Sequence, residues 1–425
     1  MSHGSTQVTD HGAAGDGSAG PATVPGPQPP GRSRASESKG YAPLGPTLAA
    51  FVITAILATG QMYAVIPVMD TMGHAWHASA SAMTWMASAF GFGYAGGFVV
   101  FGPLADRYGH RRIVVYGIAA TAVTTALVAC APGLGLGIAL RVLQGVTVAA
   151  FPPTVLSYIA ERVAPERRMV TTTAVTTSFL ASAVIAQVAS QTIADALGWR
   201  AVFVAGAVAF AVMAFVLRAV MLTDLEPRGG SPLSAYRSIP RVLCTPGLRL
   251  LYLATPAVFG SFVAMYTGIQ LSGIVADNQE LLVLRSSSLP AMILIPLLTP
   301  WLTRVPNVAR VVFGLLLASV TTLVTGLVSP GTTGLAGLLL VFVAAITIAT
   351  PAMVGTVGER SGVARSTALS LSTFCFFVGA SLGPQVAGAL VGSGFSRLMY
   401  VLAAVLCAAA VIVFITRRAP ATQKR

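Results

Sequence analysis

Gly102-Pro103-Leu104-Ala105-Asp106-Arg107-Tyr108-Gly109-His110-Arg111-Arg112 is a short charged segment set between two long apolar runs. Its glycines permit tight backbone bends, and acid and base stand within a few residues of each other. On either side the chain loses nearly all its charge. Of 425 residues, 55% are hydrophobic and 9% charged, with a mean hydropathy of +0.78. A soluble domain carries about 25% charged residues, so apolar surface on this scale requires lipid as its solvent. The net charge of +13 would suggest nucleic acid on a soluble protein. Here the basic residues lie between apolar runs, as the positive-inside rule requires, and no nucleic-acid partner is expected. Cys130, Cys244, Cys375 and Cys407 lack ligand-like spacing, so neither a disulfide framework nor a metal site is implied, and no cofactor is expected.

Outward from the charged segment, runs of about 20 apolar residues repeat with short breaks, the length a membrane-spanning helix needs. The pattern predicts helices near 46–69, 80–101, 113–131, 135–159, 169–194 and 201–222. A second group falls near 248–273, 281–303, 311–328, 335–357, 366–391 and 398–416. The organisation expected is a disordered tail over 1–45, rich in Gly, Pro and Ser, and a six-helix bundle over 46–222. A polar linker over 223–247, a second six-helix bundle over 248–416 and a short tail over 417–425 complete it. Alternate loops hold Arg107, Arg111 and Arg112, then Arg162, Arg167 and Arg168, and then Arg228, Arg237 and Arg241. Arg304, Arg310, Arg360, Arg365, Arg417 and Arg418 continue that set, while the opposite loops hold little beyond Arg200 and Arg397. Both termini and the linker are therefore expected on the cytoplasmic side of the cell membrane.

The two halves repeat each other. Residues 102–117, GPLADRYGHRRIVVYG, align with 299–314, TPWLTRVPNVARVVFG, at an offset of 197 (311 − 114). Glu161-Arg162 aligns with Glu359-Arg360, and Gln187-Val188-Ala189 with Gln385-Val386-Ala387, at 198. The physical meaning is two bundles related by an axis along the membrane normal, with a site between them near the midplane.

The Gly102–Arg112 segment resembles the signature loop between the second and third helices of the major facilitator superfamily. Arg141-Val142-Leu143-Gln144-Gly145 resembles that family's fourth-helix R-x-x-Q-G motif. The resemblance implies an all-α integral membrane fold of twelve helices in two pseudo-symmetric bundles, working by alternating access and doing no covalent chemistry. It implies a cytoplasmic gate built from Gly102, Asp106, Arg107, Gly109, Arg111, Arg112 and Glu161. In it, Asp106 accepts hydrogen bonds from the amino-terminal amides of the eleventh helix, where the macrodipole favours an anion. Arg111 or Arg112 would pair with Glu161. His110 stands where the family has its first Arg after Gly. The antiporter branch carries G-P-x-x-G-G on the fifth helix; here the region reads Ile185-Ala186-Gln187-Val188-Ala189-Ser190, and Gly383-Pro384 occurs on the eleventh helix instead.

A charge in an apolar span is costly and usually faces a cavity. Arg141 and Gln144, three apart, share one helix face. The family links this Arg with proton coupling, and Asp70, near the outer mouth, is the expected proton-binding acid. Gln187, Gln191 and Asp195 fall at i, i+4 and i+8 on one face, a stripe that in lipid must turn inward. Gln61, Tyr63, Gln144, Gln187, Gln191, Tyr266, Gln270 and Gln385 are the expected cavity residues. Arg285, one turn into the eighth helix, either greets an anionic substrate or reaches the outer headgroups, the second being favoured.

The expected activity is export of a small, largely apolar organic compound, such as a drug or secondary metabolite, in exchange for protons, by a monomer. Sparse charge in the cavity suits neutral or weakly anionic cargo. The alternative is a sugar or amino-acid transporter on the same fold, and a further reading is a non-transporting membrane sensor. No G-x-x-x-x-G-K-[ST] phosphate loop is present, so ATP is not the expected driving force.

Overall fold

The computed structural model describes residues 40–223, 245–275, 277–298, 304–361 and 365–416. The expected tail over 1–45 up to residue 39, most of the linker, the end of the eighth helix and the last nine residues lie outside these. Among the described residues all regular structure is helical. The first half runs α1 (Leu44–Ala64), α2 (Met69–Trp76), α3 (Ala80–Met83), α4 (Trp85–Tyr108), α5 (His110–Ala129), α6 (Leu134–Val148), α7 (Pro152–Arg162), α8 (Pro165–Leu197) and α9 (Trp199–Val220). The second runs α10 (Pro246–Ser272), α11 (Asn278–Ser286), α12 (Leu289–Leu297), α13 (Asn307–Val328), α14 (Thr332–Arg360), α15 (Arg365–Leu390) and α16 (Phe395–Thr416).

Ten of these stretches are each long and apolar enough to cross a membrane, and α8, bent by 45° after Phe179, makes an eleventh. The twelfth expected span, 281–303, occurs as the two short helices α11 and α12 and runs on into undescribed residues. Two other spans are broken where proline dictates. Pro67 sits in a 3-10 turn between α1 and α2, and Pro152-Pro153 open α7. Proline lacks the N–H that continues a helix but tolerates its first turn. Asp70, expected at the close of the first helix, therefore lies within α2.

The repeat in sequence is a repeat in packing. In the first half α1 packs on α8, α5 on α9 and α4 on α6; in the second, α10 packs on α15, α13 on α16 and α12 on α14. Across the halves, α4 meets α15 and α8 meets α11 and α12. Gly109, at φ 97° and ψ 138°, turns the chain from α4 into α5, a conformation essentially reserved to glycine. Gly109→Val should therefore cost about 1–3 kcal/mol, read as a lower melting temperature of the purified protein. An unchanged melting curve would show that the turn relaxes freely.

Candidate functional site

Helix α6 carries Arg141 and Gln144 on the face turned to α1 and α4, and both side chains are fully buried. The Arg141 guanidinium donates through Nε to the Met86 carbonyl (2.8 Å), through Nη1 to Gln144 Oε1 (2.6 Å) and through Nη2 to the Gln61 carbonyl (2.9 Å). It lies 4.4 Å from the centre of the Phe90 ring, a distance at which a cation is drawn to an aromatic face. Gln144 Nε2 donates in turn to Gln61 Oε1 (3.1 Å) and Thr125 Oγ1 (2.7 Å). A buried charge is tolerated only when paired or well hydrogen-bonded, and here neutral oxygens and an aromatic ring hold it. At the repeat offset of 198, the counterparts of Gln61, Arg141 and Gln144 are Phe259, Leu339 and Phe342. The second half thus builds the same bundle with apolar residues, so the fold itself does not demand this network. Asp70 is not brought to it: its carboxylate is exposed, 3.7 Å from His74 one turn on.

Between the halves lies a cavity of about 20 Å³, room for about one water molecule. Tyr63, Phe179 and Ala183 wall it from the first bundle; Phe259, Phe262, Met292, Ile346 and Thr347 wall it from the second. Tyr63 packs edge-on against Phe262 with ring centroids 5.8 Å apart. Of the residues expected in the cavity, Tyr63 lines it directly. Gln187 lies one turn beyond Ala183 on α8, donates to the Ala183 carbonyl and leaves its Oε1 buried without a partner. Gln61 and Gln144 belong to the Arg141 network. Tyr266 meets Ser288 Oγ at 2.7 Å, and Gln385 on α15 donates to Ser88 on α4 (2.9 Å), a bond between the halves. The aromatic wall carried no signal in the sequence, because Phe and Met on an apolar helix read alike whether they face protein or lipid.

Arg285 corrects the favoured reading of its position. It does not reach headgroups; its residue is 3% exposed. It hydrogen-bonds Gln191 Oε1 on α8 and Gln270 Oε1 on α10, tying the second bundle to the first. Arg285 follows Ser88 by the repeat offset (285 − 88 = 197), while the repeat of Gln385 is Gln187, one turn from Gln191 (385 − 187 = 198); the two links across the seam therefore match at one end and lie a turn apart at the other.

At the other end of the bundles, where the Arg-rich loops lie, His110 Nδ1 stands 3.5 Å from Glu161. The residue that departs from the family pattern thus faces the acid expected to meet Arg111 or Arg112. Arg111 donates to the Arg218 carbonyl, Arg107 stands over the Tyr108 ring and Arg112 is exposed. Asn307, which follows His110 by 197 (307 − 110), donates to Glu359, the repeat of Glu161. The contact is therefore duplicated in both halves. Gly102 has open space around its Cα, and the Asp106 side chain lies outside what the structure describes.

Comparison with known proteins agrees with this architecture. A bacterial homologue of the human lysosomal transporter Spinster, solved in an inward-facing, unoccupied conformation, superposes with a TM-score of 0.67 at 16% identity, covering 88% of this chain and 96% of that one. At that identity the likeness establishes the fold. The probable transporter SCO4007 of Streptomyces coelicolor is 26% identical over 59% of this chain and 59% of its own length. The tetracenomycin C resistance and export protein of Streptomyces glaucescens is 28% identical over 35% of this chain and 27% of its own. The multidrug efflux pump LfrA of Mycolicibacterium smegmatis is 38% identical over 19% and 16%. The chain thus spans no more than about three-fifths of the length of these three relatives. The family profile of the Major Facilitator Superfamily matches residues 51–349. With that match running from α1 into α14, over more than half of the chain, the chain belongs to the Major Facilitator Superfamily.

Proposed function

We propose that this transporter exports a small, largely apolar organic compound by alternating access, in exchange for protons. The cavity wall carries the reading. Aromatic and aliphatic side chains from both bundles converge there, with one phenol and one threonine hydroxyl among them. Such a lining rewards burial of apolar surface, at about 25 cal/mol per Å², and would leave the hydroxyls of a sugar facing carbon. The export and efflux named for the Streptomyces glaucescens and Mycolicibacterium relatives support the outward direction. The Arg distribution supports a cytoplasmic side for the Gly102–Arg112 segment, which closes α4 and opens α5 around Gly109, and for both termini, the chain acting as a monomer in the cell membrane. The Gly102–Arg112 segment, helical except at the Gly109 turn, forms the cytoplasmic gate there with Glu161, with Asp106 as its latch.

Arg141 supplies a fixed buried charge, and Asp70, open to water beside His74, exchanges the proton at the outer mouth. The experiment is transport of a hydrophobic dye into inverted vesicles, with and without an imposed pH gradient. Gradient-driven accumulation that Asp70→Asn abolishes is the expected result. Accumulation indifferent to the gradient would reject proton exchange while leaving export intact. A complete lack of flux for apolar dyes, with flux for sugars, would reject the cargo class.

A further inference from the structure

Arg285 is the one cation among those described here, apart from Arg141, that the fold draws into the apolar region between helices, and the proposed export cycle gives it no role. Its surroundings form a ladder rising from the cavity. Phe262 and Met292 wall the cavity. One turn further from the Arg-rich end, the Tyr266 hydroxyl meets Ser288 Oγ at 2.7 Å. A further turn brings Gln270 and Arg285 together, with Gln191 reaching across from the first bundle. Arg285 thus caps the cavity about two helical turns, or about 11 Å, above Phe262.

Its hydrogen bonds among the described residues go to two neutral amide oxygens. A carboxylate makes charge-assisted, bidentate bonds to a guanidinium, shorter and roughly twice as strong as neutral ones. An anion reaching this point from the cavity therefore outcompetes the Gln191 amide. The Gln191 amide is also the hydrogen bond by which Arg285 spans the seam, so displacing it removes a polar tie between α11 and α8. Asp195, exposed one turn beyond Gln191 on α8, acts electrostatically on the same guanidinium and competes for it, which lets a bound anion leave again.

We propose that the cargo is an amphipathic organic acid, its apolar body between the cavity's aromatic walls once the bundles part around it and its carboxylate on Arg285, where it replaces Gln191 and unlocks that side of the seam. This rests on the cavity being the cargo site. The test is calorimetric titration of the purified protein with 4-phenylbutyrate and with its neutral isostere 4-phenylbutyramide, two probes that share an apolar body. The acid should bind about tenfold or more tighter than the amide, a difference of about 1.4 kcal/mol. Arg285→Gln should erase the preference while still binding the amide, and Arg285→Lys should keep part of it. Equal binding of both probes by the unaltered protein would overturn the anion site and leave the apolar cavity standing. Binding of neither probe would overturn both readings. Retention of the acid preference in Arg285→Gln would move the anion site elsewhere, and because the unaltered protein is itself compared with two probes, misfolding of that variant cannot shelter the idea.

Discussion

Arg141→Leu is expected to abolish transport and to lower the melting temperature sharply. The leucine is close in apolar volume but donates nothing. It takes from the Met86 carbonyl, which keeps its helical partner inside α4, a second bond, and it strips the Gln61 carbonyl near the end of α1 and Gln144 Oε1 of the bonds they now receive from one guanidinium. Each buried acceptor left unsatisfied costs about 1–3 kcal/mol, against a total stability of about 5–15 kcal/mol for a typical protein. Arg141→Lys separates the charge from the geometry. A lysine keeps the charge but is a compact ammonium on a flexible stem, where arginine presents a rigid fork. It cannot reach the same three acceptors on α1, α4 and α6 together. The lysine variant should therefore recover much of the stability and little of the transport. Full transport by Arg141→Leu would mean that the buried charge has no part in the cycle, whatever its effect on stability. The apolar counterparts Leu339 and Phe342 in the second half already say that a bundle can close without such a network.

Gly379→Val should prevent folding altogether. An added Cβ at position 379 would stand 2.0 Å from the Pro256 carbonyl oxygen and 2.5 Å from Pro256 Cα. Both are backbone atoms of α10, so no side chain can swing aside. One turn on, a Cβ at Gly383 would meet the Gly260 carbonyl oxygen at 2.5 Å, so the two helices touch backbone to backbone over at least this turn. Helices in lipid associate through such close packing, because water is not there to drive them together. Separating α10 from α15 would lose that contact and also disturb Phe259 and Phe262 at the cavity, both on α10. The expected outcome is no monodisperse protein after detergent extraction. Gly96→Val, where a Cβ meets nothing within 4 Å, is the control and should extract normally. Normal yield of Gly379→Val would show that the α10–α15 contact is looser than described.

How much of this was legible beforehand depended on whether the signal was local. The two expected bundles, the internal repeat and the family all follow from hydropathy runs, loop charge and the Gly102–Arg112 segment. Each of these is read within a window of about 20 residues, the length set by the bilayer. Arg141 and Gln144 were legible for a related reason: a polar side chain in a span has to face protein or water. Their partners were not. Arg141 was expected to serve proton coupling together with Asp70, and the structure places it on backbone carbonyls of α1 and α4 that no residue type announces. Glu161, expected to meet Arg111 or Arg112, has His110 3.5 Å away, a neighbour the sequence did not announce.

The sequence alone determined that this chain lives in lipid, that its halves are copies, and where its rare charges stand along each helix. The tertiary structure decided which faces meet: that Phe179, Phe259, Phe262 and Met292 turn toward one another, and that Arg285 crosses the seam instead of reaching for headgroups. The reason is that lipid tails and protein interior are equally apolar. Hydropathy therefore distinguishes membrane from water but is silent on which side of a greasy helix looks inward, and only the packing of one helix against another makes that choice.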